Sequence, residues 1–398
     1  MTLRSIANAL CAFLRFIEHE QGEGSKIHEL HFPAEQVFRV TYRYRAYLQK
    51  SVRHQVISLG TAKLRMNIVV NFYRALIEYK LVADGVINTP PYIEREAGIM
   101  CTTGIGLSRI LRVLTTDLAF KQRRKQNVIS DDSIQDGEKL RPLREHEVDA
   151  IFTVLKNFDN RTHELIFLFA LYTGARIQTI GTLRIDKFLS AFEQQQQNSE
   201  MTLKVGAGTG IDTKLDKKYR LFIPLELARK IIAYIDSPLA REARINSFYG
   251  DTDRNYIFLN RDGRSFYTSR CELEDRQNPM NSLGISLREL AAQPVAYGQS
   301  IRNIVNRILK RIRQAEPEFR TFRFHDLRAT FGMDFVNQST DSGMSPQKIL
   351  DQCKTRMGHS SIETTLRYLD YKDNHIRVSR YNQEYARRRY RYLDGGEC

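Results

Sequence analysis

Residues 121–139, KQRRKQNVISDDSIQDGEK, constrain the fold more than any other stretch of this chain. They are polar, follow neither a helical nor a strand period, and open with four cations in five residues. Before them apolar residues recur at helical spacing, and after them the same period resumes in REHEVDAIFTVLKNF. A stretch that cannot bury an apolar face thus divides two regions that can. Such a chain packs as two bodies joined by a basic linker. The length of 398 residues agrees, since one hydrophobic core rarely grows past about 250–300 residues. The expected boundaries are a helical first domain over 1–120, the linker over 121–140, a second domain over 141–370, and a basic C-terminal helix or tail over 371–398.

The first domain reads as helices. SIANALCAFLRFIEH, PAEQVFRVTYRYRAYLQKSV and GTAKLRMNIVVNFYRALIEYKLV each carry apolar residues at helical spacing. GVINTPPY (85–92) breaks the run with Gly and a Pro pair, and a further helix is expected around LSRILRVLTTDLAF. Beyond the linker, RTHELIFLFALYTGARIQTIGTLRIDKF reads as an apolar helix, a turn and a shorter helix. In residues 201–225, the β-prone runs TLKV and YRLFIPL flank Gly- and Lys-rich turns, which predicts a small hairpin sheet. FEQQQQNSE is a surface loop by composition, and NYIFLNRDGRSF reads as a strand and turn. Residues 270–300 show no clear period, and from IRNIVNRILKRIRQ onward the chain is helical again. The expected fold class is two-domain and mainly α, with a small β-sheet in a mixed α/β second domain.

The net charge of +15 and the pI near 9.6 make a polyanion the default partner, with nucleic acid first. The bland alternative is a basic protein with no polyanion ligand. No run approaches 18 apolar residues, so a membrane span is not expected, and the N-terminal MTLRSIANALCAFLRFIEHE reads as an amphipathic helix rather than a signal peptide. The five cysteines, Cys11, Cys101, Cys271, Cys353 and Cys398, are dispersed without a CxxC pair, which fits reduced thiols and no structural zinc. A cytoplasmic, DNA-associated protein is the expectation.

Exchange of a phosphodiester without metal has defined chemical needs. A nucleophile attacks phosphorus, and fixed cations meet the charge that builds on the non-bridging oxygens; Arg forks do so bidentately. An acid protonates the leaving sugar oxygen. A covalent link to the protein conserves the bond energy, so no cofactor is required. The second half of the chain holds each part. Arg176 follows a Gly turn in TGARIQTIGTL. HDLRATFG sets His325 and Arg328 three residues apart, on one helical face. MGHSSIETTLRYLDY sets His359 nine residues before Tyr368, and the expected hairpin offers Lys214 in DTKLDKK. Taken singly, each has a bland reading: a half-buried core tyrosine, a satisfied structural histidine, a surface cation.

Taken together, residues 143–371 resemble the catalytic domain of the tyrosine recombinase (phage integrase) family. LYTGARIQTIGTLRIDKF resembles its first arginine box, and HDLRATFG with MGHSSIETTLRYL resembles the second. GTAKLRMNIVVNFYRALIEYKLV with the following NTPP is similar to the last long helix of the family's core-binding domain. The resemblance implies a site-specific DNA recombinase. Tyr368 would form a 3′-phosphotyrosyl link, Arg176 and Arg328 would clamp the phosphate, and Lys214 would protonate the 5′ oxygen. His325 would assist proton transfer and His359 would hydrogen-bond the phosphate; no metal or cofactor is implied. Tyr371, Lys217 and Lys218 remain as competitors for the nucleophile and the acid. One position departs from the family pattern. Thr179 stands where an acidic residue usually follows the first arginine, so that supporting contact comes from elsewhere or is missing.

Lys63, Arg65 and Asn67, together with Arg43 and Arg45 among interleaved tyrosines, are candidate DNA contacts, as are Lys121, Arg123 and Arg124 in the linker. The implied partners are duplex DNA carrying specific sites and three further copies of the chain, in a tetramer docked through the C-terminal helix. Other readings are a type IB topoisomerase, a telomere resolvase, and a non-catalytic DNA-binding protein on the same scaffold.

Overall fold

Three helices build most of the first region: α1 (Leu3–Gly22), α2 (Val40–Arg53) and α3 (Leu59–Glu78). In the computed structural model the described residues are 3–22, 27–83, 85–102, 108–120, 133–277 and 294–373. The chain divides into two compact units, 1–126 and 127–398. In the first, Phe13, Phe16 and Ile17 of α1 meet Tyr44 and Leu48 of α2 and Met66, Val69 and Tyr73 of α3. The spacings of three and four residues put these groups on one face of each helix. Ser58 caps α3 by accepting a hydrogen bond from the Thr61 backbone N–H at 3.0 Å.

The helix expected around LSRILRVLTTDLAF is a strand. β2 (Ser108–Thr116) pairs antiparallel with β1 (Glu94–Thr102), from Glu94 opposite Thr116 to Thr102 opposite Ser108. Ile110, Val113, Thr115 and Thr116 are β-branched and favour extended backbone, and a neighbouring strand completes their hydrogen bonds. The first unit is therefore helical with an added hairpin. Residues 121–132 and 374–398, which hold most of the linker and C-terminal expectations, lie outside the described residues.

The second unit is organised around α5 (Arg161–Thr173). Its apolar run RTHELIFLFALYT buries Leu165, Ile166, Phe167, Phe169 and Ala170 on several sides. Around it pack α4 (Glu145–Asn157), α8 (Leu225–Ile235), α12 (Asp326–Asp341) and the hairpin strand β6 (Tyr219–Pro224). β6 pairs with β5 (Glu200–Val205), so the expected hairpin sheet is present. Between α5 and β5 run α6 (Ile177–Gly181) and α7 (Ile185–Glu193), and after α8 come α9 (Pro238–Ile245), α10 (Arg270–Gln277) and α11 (Gln299–Ala315). α11 buries Ile301, Ile304, Val305, Ile308, Leu309 and Ile312 as one stripe, with its arginines on the far side. α13 (Pro346–Met357) and a helix over 362–373, α14, complete the described chain.

A second small hairpin was not expected. Residues 133–140, read from sequence as the end of the linker, form β3 (Ile134–Gln135) and β4 (Lys139–Leu140), paired antiparallel. Ile134 is buried among Met333, Val336, Ile349, Cys353, Met357 and Tyr368.

Gly174 ends α5 in the left-handed conformation, φ 63°. A Cβ there would lie 2.5 Å from the Phe331 ring. Gly174→Ala should therefore destabilise the protein by about 2 kcal/mol, from backbone strain plus overpacking, measured by urea denaturation. Unchanged stability would mean that this turn is not held as described.

Candidate active site

Four elements bring the arginine, histidine and tyrosine side chains of the two sequence boxes to one point. Arg176 is the N-cap residue of α6, immediately after the Gly174 turn. Arg328 lies in the first turns of α12 and is 2% exposed. His359 follows Gly358, the left-handed C-cap of α13. Tyr368 sits on α14 and is fully buried.

What they meet is Asp136, at the tip of the β3–β4 hairpin. Arg176 Nη2 donates to Asp136 Oδ1 at 3.0 Å. Arg328 Nε donates to Oδ2 at 2.6 Å. His359 Nε2 lies 3.1 Å from the same Oδ2, and the Tyr368 hydroxyl donates to it at 3.3 Å. The remaining Arg328 nitrogens are held by backbone: Nη1 donates to Gly174 O at 2.6 Å and Nη2 to Met357 O at 2.7 Å. Arg328 is thus fixed at three points before any ligand arrives. His359 Nδ1 is 2.9 Å from Thr365 Oγ1. Burial lowers the His359 pKa and Asp136 opposes it; in a neutral ring the proton belongs on Nε2, facing the carboxylate, which leaves Nδ1 to accept from Thr365.

The electrostatics follow from these contacts. Burial alone would raise the Asp136 pKa, but Arg328, His359 and Arg176 outweigh it and hold the carboxyl well below its usual range. Burial, and then the adjacent Asp136 charge, push the Tyr368 phenol well above 10. Thr179 is buried and uncharged, and the carboxylate that Arg176 meets is Asp136, from far away in sequence.

His325 occupies the N-cap position of α12 rather than sharing its regular turns with Arg328. Its pKa falls to about 4, chiefly through burial; Glu138 opposes this, and Arg176 and Arg328 add to it. Lys214 is exposed on a turn between β5 and β6, and its Nζ is 3.1 Å from where a Gly137 Cβ would stand. Lys217 comes from the same turn. Its Nζ donates to Gly358 O at 2.9 Å and to Ser360 Oγ at 3.3 Å. Burial, then Arg176, Lys354 and Arg328, lower its pKa. Lys218 is exposed. Tyr371 packs on the small cluster around Tyr368.

Sequence reading missed Asp136, Thr365, Tyr219 and Gly332. Only Asp136 carried a local signal: an Asp-Gly pair between Ile134 and Leu140, a hairpin cue inside a polar stretch. Gly332 matters by its size, since a Cβ there would lie 2.5 Å from the Tyr368 ring and 2.9 Å from Met357 Sδ. Tyr219 packs against Gly358, and its buried hydroxyl has no hydrogen-bond partner among the described residues.

The expected DNA contacts in the first unit divide by environment. Arg43 pairs with Glu20, and Arg45 donates to Leu118 O at 3.1 Å with its guanidinium 5.6 Å from the Phe120 ring. Both forks are therefore engaged within the unit. Lys63 and Asn67, four apart on α3, share a face; Asn67 is exposed, and Lys63 and Arg65 are each half-buried. Lys121, Arg123 and Arg124 lie outside the described residues. Among the described residues no three His, Cys, Asp or Glu side chains gather as a metal site, and no helix is long and apolar enough to cross a membrane.

The family model of the phage integrase family matches residues 141–375. The chain belongs to the phage integrase family. It is a tyrosine site-specific recombinase. No curated protein matches the chain. Among solved structures it is similar to the Tn1549 transposon integrase in complex with transposon right end DNA, at 13% identity and TM-score 0.46, over 92% of this chain and 89% of that one. A lambda integrase dimer bound to a COC′ core site overlaps at 12% identity and TM-score 0.43, over 92% and 89%. XerA recombinase overlaps at 16% identity and TM-score 0.32, over 90% and 93%. The family match carries the assignment; overlaps this loose position no residue.

His325 gives a pH prediction. Its folded pKa of about 4 lies below the unfolded value near 6.5, so the unfolded chain binds the proton more tightly. Its contribution to stability is complete above pH 6.5 and is lost as pH falls toward 4. The ring should show no NMR titration between pH 6 and 8, and His325→Asn should flatten the loss of stability between pH 6.5 and 4. A midpoint near 6.5 would contradict the burial described.

Proposed function

We propose that this recombinase cuts and rejoins duplex DNA at specific sites through a 3′-phosphotyrosyl link on Tyr368, with no metal or high-energy cofactor. The observation that carries this reading is the convergence of Arg176, Arg328, His359 and Tyr368 on the oxygens of one carboxylate. Groups arranged to hold one anion can hold another, and a phosphodiester presents comparable oxygens to the same donors. In this reading the two guanidiniums and His359 Nε2 meet the charge that develops on the non-bridging oxygens. Each such donor is worth about 3–4 kcal/mol in comparable oxyanion sites. His325, neutral and beside both arginines, takes the tyrosine proton. A lysine of the β5–β6 turn protonates the leaving 5′ oxygen. Lys214 is the assignment from the sequence motif, and Lys217, with its lowered pKa and its bond beside His359, is the geometric rival.

Lys63 and Asn67 suit contact with DNA, with the basic stretch at Lys121, Arg123 and Arg124 adding phosphate contacts. The proposed assembly is a homotetramer on two DNA sites, docked through the segment beyond Tyr371, in a cytoplasmic, DNA-associated setting. The non-catalytic alternative predicts binding without any covalent intermediate.

Tyr368→Phe should abolish SDS-stable protein–DNA adducts while duplex binding persists, and Tyr371→Phe should leave them intact. Arg176→Lys and Arg328→Lys should each slow single-turnover cleavage by about 10² or more, because an ammonium cannot reproduce the guanidinium fork. Adducts that follow Tyr371, or near-normal cleavage in both lysine variants, would overturn the assignment.

The acid can be found with a 5′-thio substrate, whose leaving group needs no proton. The cleavage defect of Lys214→Ala should largely disappear on it, whereas that of Arg176→Lys should remain. Rescue of Lys217→Ala alone would move the role to Lys217, and rescue of neither would place the acid outside this turn.

A further inference from the structure

We infer that the β3–β4 hairpin is an intramolecular plug, with the Asp136 carboxylate standing in for the scissile phosphate and holding the site closed until DNA displaces it. The inference rests on the catalytic reading above and adds a regulatory state to it. Three observations support it.

The first is exclusivity. Asp136 Oδ2 takes hydrogen bonds from Arg328 Nε and the Tyr368 hydroxyl and faces His359 Nε2, while Oδ1 takes Arg176. A phosphorus atom attacked by Tyr368 must sit about 3–3.5 Å from the phenolic oxygen. The Asp136 carboxyl already fills that position, and a second anion among the same donors would be repelled by the first. Carboxylate and phosphate cannot both be bound.

The second is access. Tyr368 is 0% exposed, Arg328 2%, His359 5% and Asp136 7%. A duplex cannot reach a nucleophile buried this completely without movement of what covers it. Ile134, two residues before Asp136, packs directly in the cluster that contains Tyr368.

The third is that the cover is lightly built. Its ladder has two residue pairs, Ile134 with Leu140 and Gln135 with Lys139. Much of what fastens it is cationic and reaches it from outside: Arg367 Nη1 donates to Gln135 O at 2.7 Å, and Arg323 pairs with Glu138 at 3.5 Å and donates to Lys139 O. DNA phosphates compete for such cations, and a ladder of two residue pairs has few backbone bonds to break; the buried anchors Ile134 and Asp136 are what the incoming phosphate must displace. The closed state also disfavours the phenolate, since burial and then the adjacent carboxylate raise the Tyr368 pKa.

The test uses the full-length chain with inorganic phosphate as the anion probe and a sequence-randomised pool of nicked duplexes as the DNA probe. Calorimetric titration should show phosphate binding at least tenfold tighter in Asp136→Ala, and tighter in Asp136→Asn, than in wild type. Glu138→Gln removes a neighbouring charge without vacating the site, and should change phosphate affinity by less than about threefold. SDS-stable adducts should form several-fold faster in Asp136→Ala than in wild type. In the unmutated protein, amides of residues 134–140 should exchange faster with deuterium when duplex is added. Phosphate affinity no tighter in either Asp136 variant, with adducts formed tenfold more slowly, would overturn the plug and make Asp136 a positioning residue. Hairpin protection that rises on DNA would overturn it as well. Tighter phosphate binding with no adduct in any variant would support the plug over an anion site and overturn the strand-cutting reading instead.

Discussion

The second unit depends on one buried carboxylate. Two guanidiniums at one point of a protein interior repel each other and lose their hydration, and a buried charge stripped of its partner costs about 3–5 kcal/mol. Asp136 meets both with its two oxygens and takes the Tyr368 hydroxyl as well. Around that centre the folding problem is one of delivery. A left-handed glycine turns α5 into Arg176, two backbone carbonyls fix the Arg328 fork, and a second left-handed glycine turns α13 into His359. Each device places a side chain through its backbone, so the cluster forms as a consequence of packing α5, α12, α13 and α14.

The parts that could be read from sequence are those whose signal is local. Apolar periodicity located the helices of both units, and the β5–β6 hairpin showed itself through β-prone runs around Gly- and Lys-rich turns. The two boxes were legible because Arg176, His325, Arg328, His359 and Tyr368 lie in short, distinctive runs. Asp136 was not, because its partners lie 40, 192, 223 and 232 residues away, at Arg176, Arg328, His359 and Tyr368. The Asp-Gly pair marks a turn, but nothing local distinguishes a buried carboxylate at such a turn from a solvated one; burial is a property of the folded chain. The β2 segment failed for another reason. Its apolar spacing suits a helix and a strand alike, and pairing with β1 decides between them. Arg43 and Arg45 are DNA-contact candidates by basic character alone, and their partners within the unit, Glu20 and the Leu118 carbonyl, carry no local signal either.

The β5–β6 turn shows how a motif and a geometry can divide one role. Lys214 follows the pattern that the sequence resemblance singles out, and its ammonium reaches toward the Asp136 hairpin at Gly137. Lys217 reaches the carbonyl of Gly358, where α13 ends beside His359. A proton donor to a leaving oxygen must sit on the side of phosphorus opposite the nucleophile, so the position of the bound phosphodiester relative to these two lysines decides between them.

The central claim is that Tyr368 is the nucleophile of a site built around one anion. The most direct measurement is mass spectrometry of the covalent complex after nuclease and protease digestion. A nucleotide joined through its 3′ phosphate to the peptide containing residue 368, with fragmentation placing it on the Tyr368 oxygen, is the predicted result. A nucleotide on Tyr371, a 5′-phosphate linkage, or recovery of only unmodified peptide from a reaction that cuts DNA would contradict it.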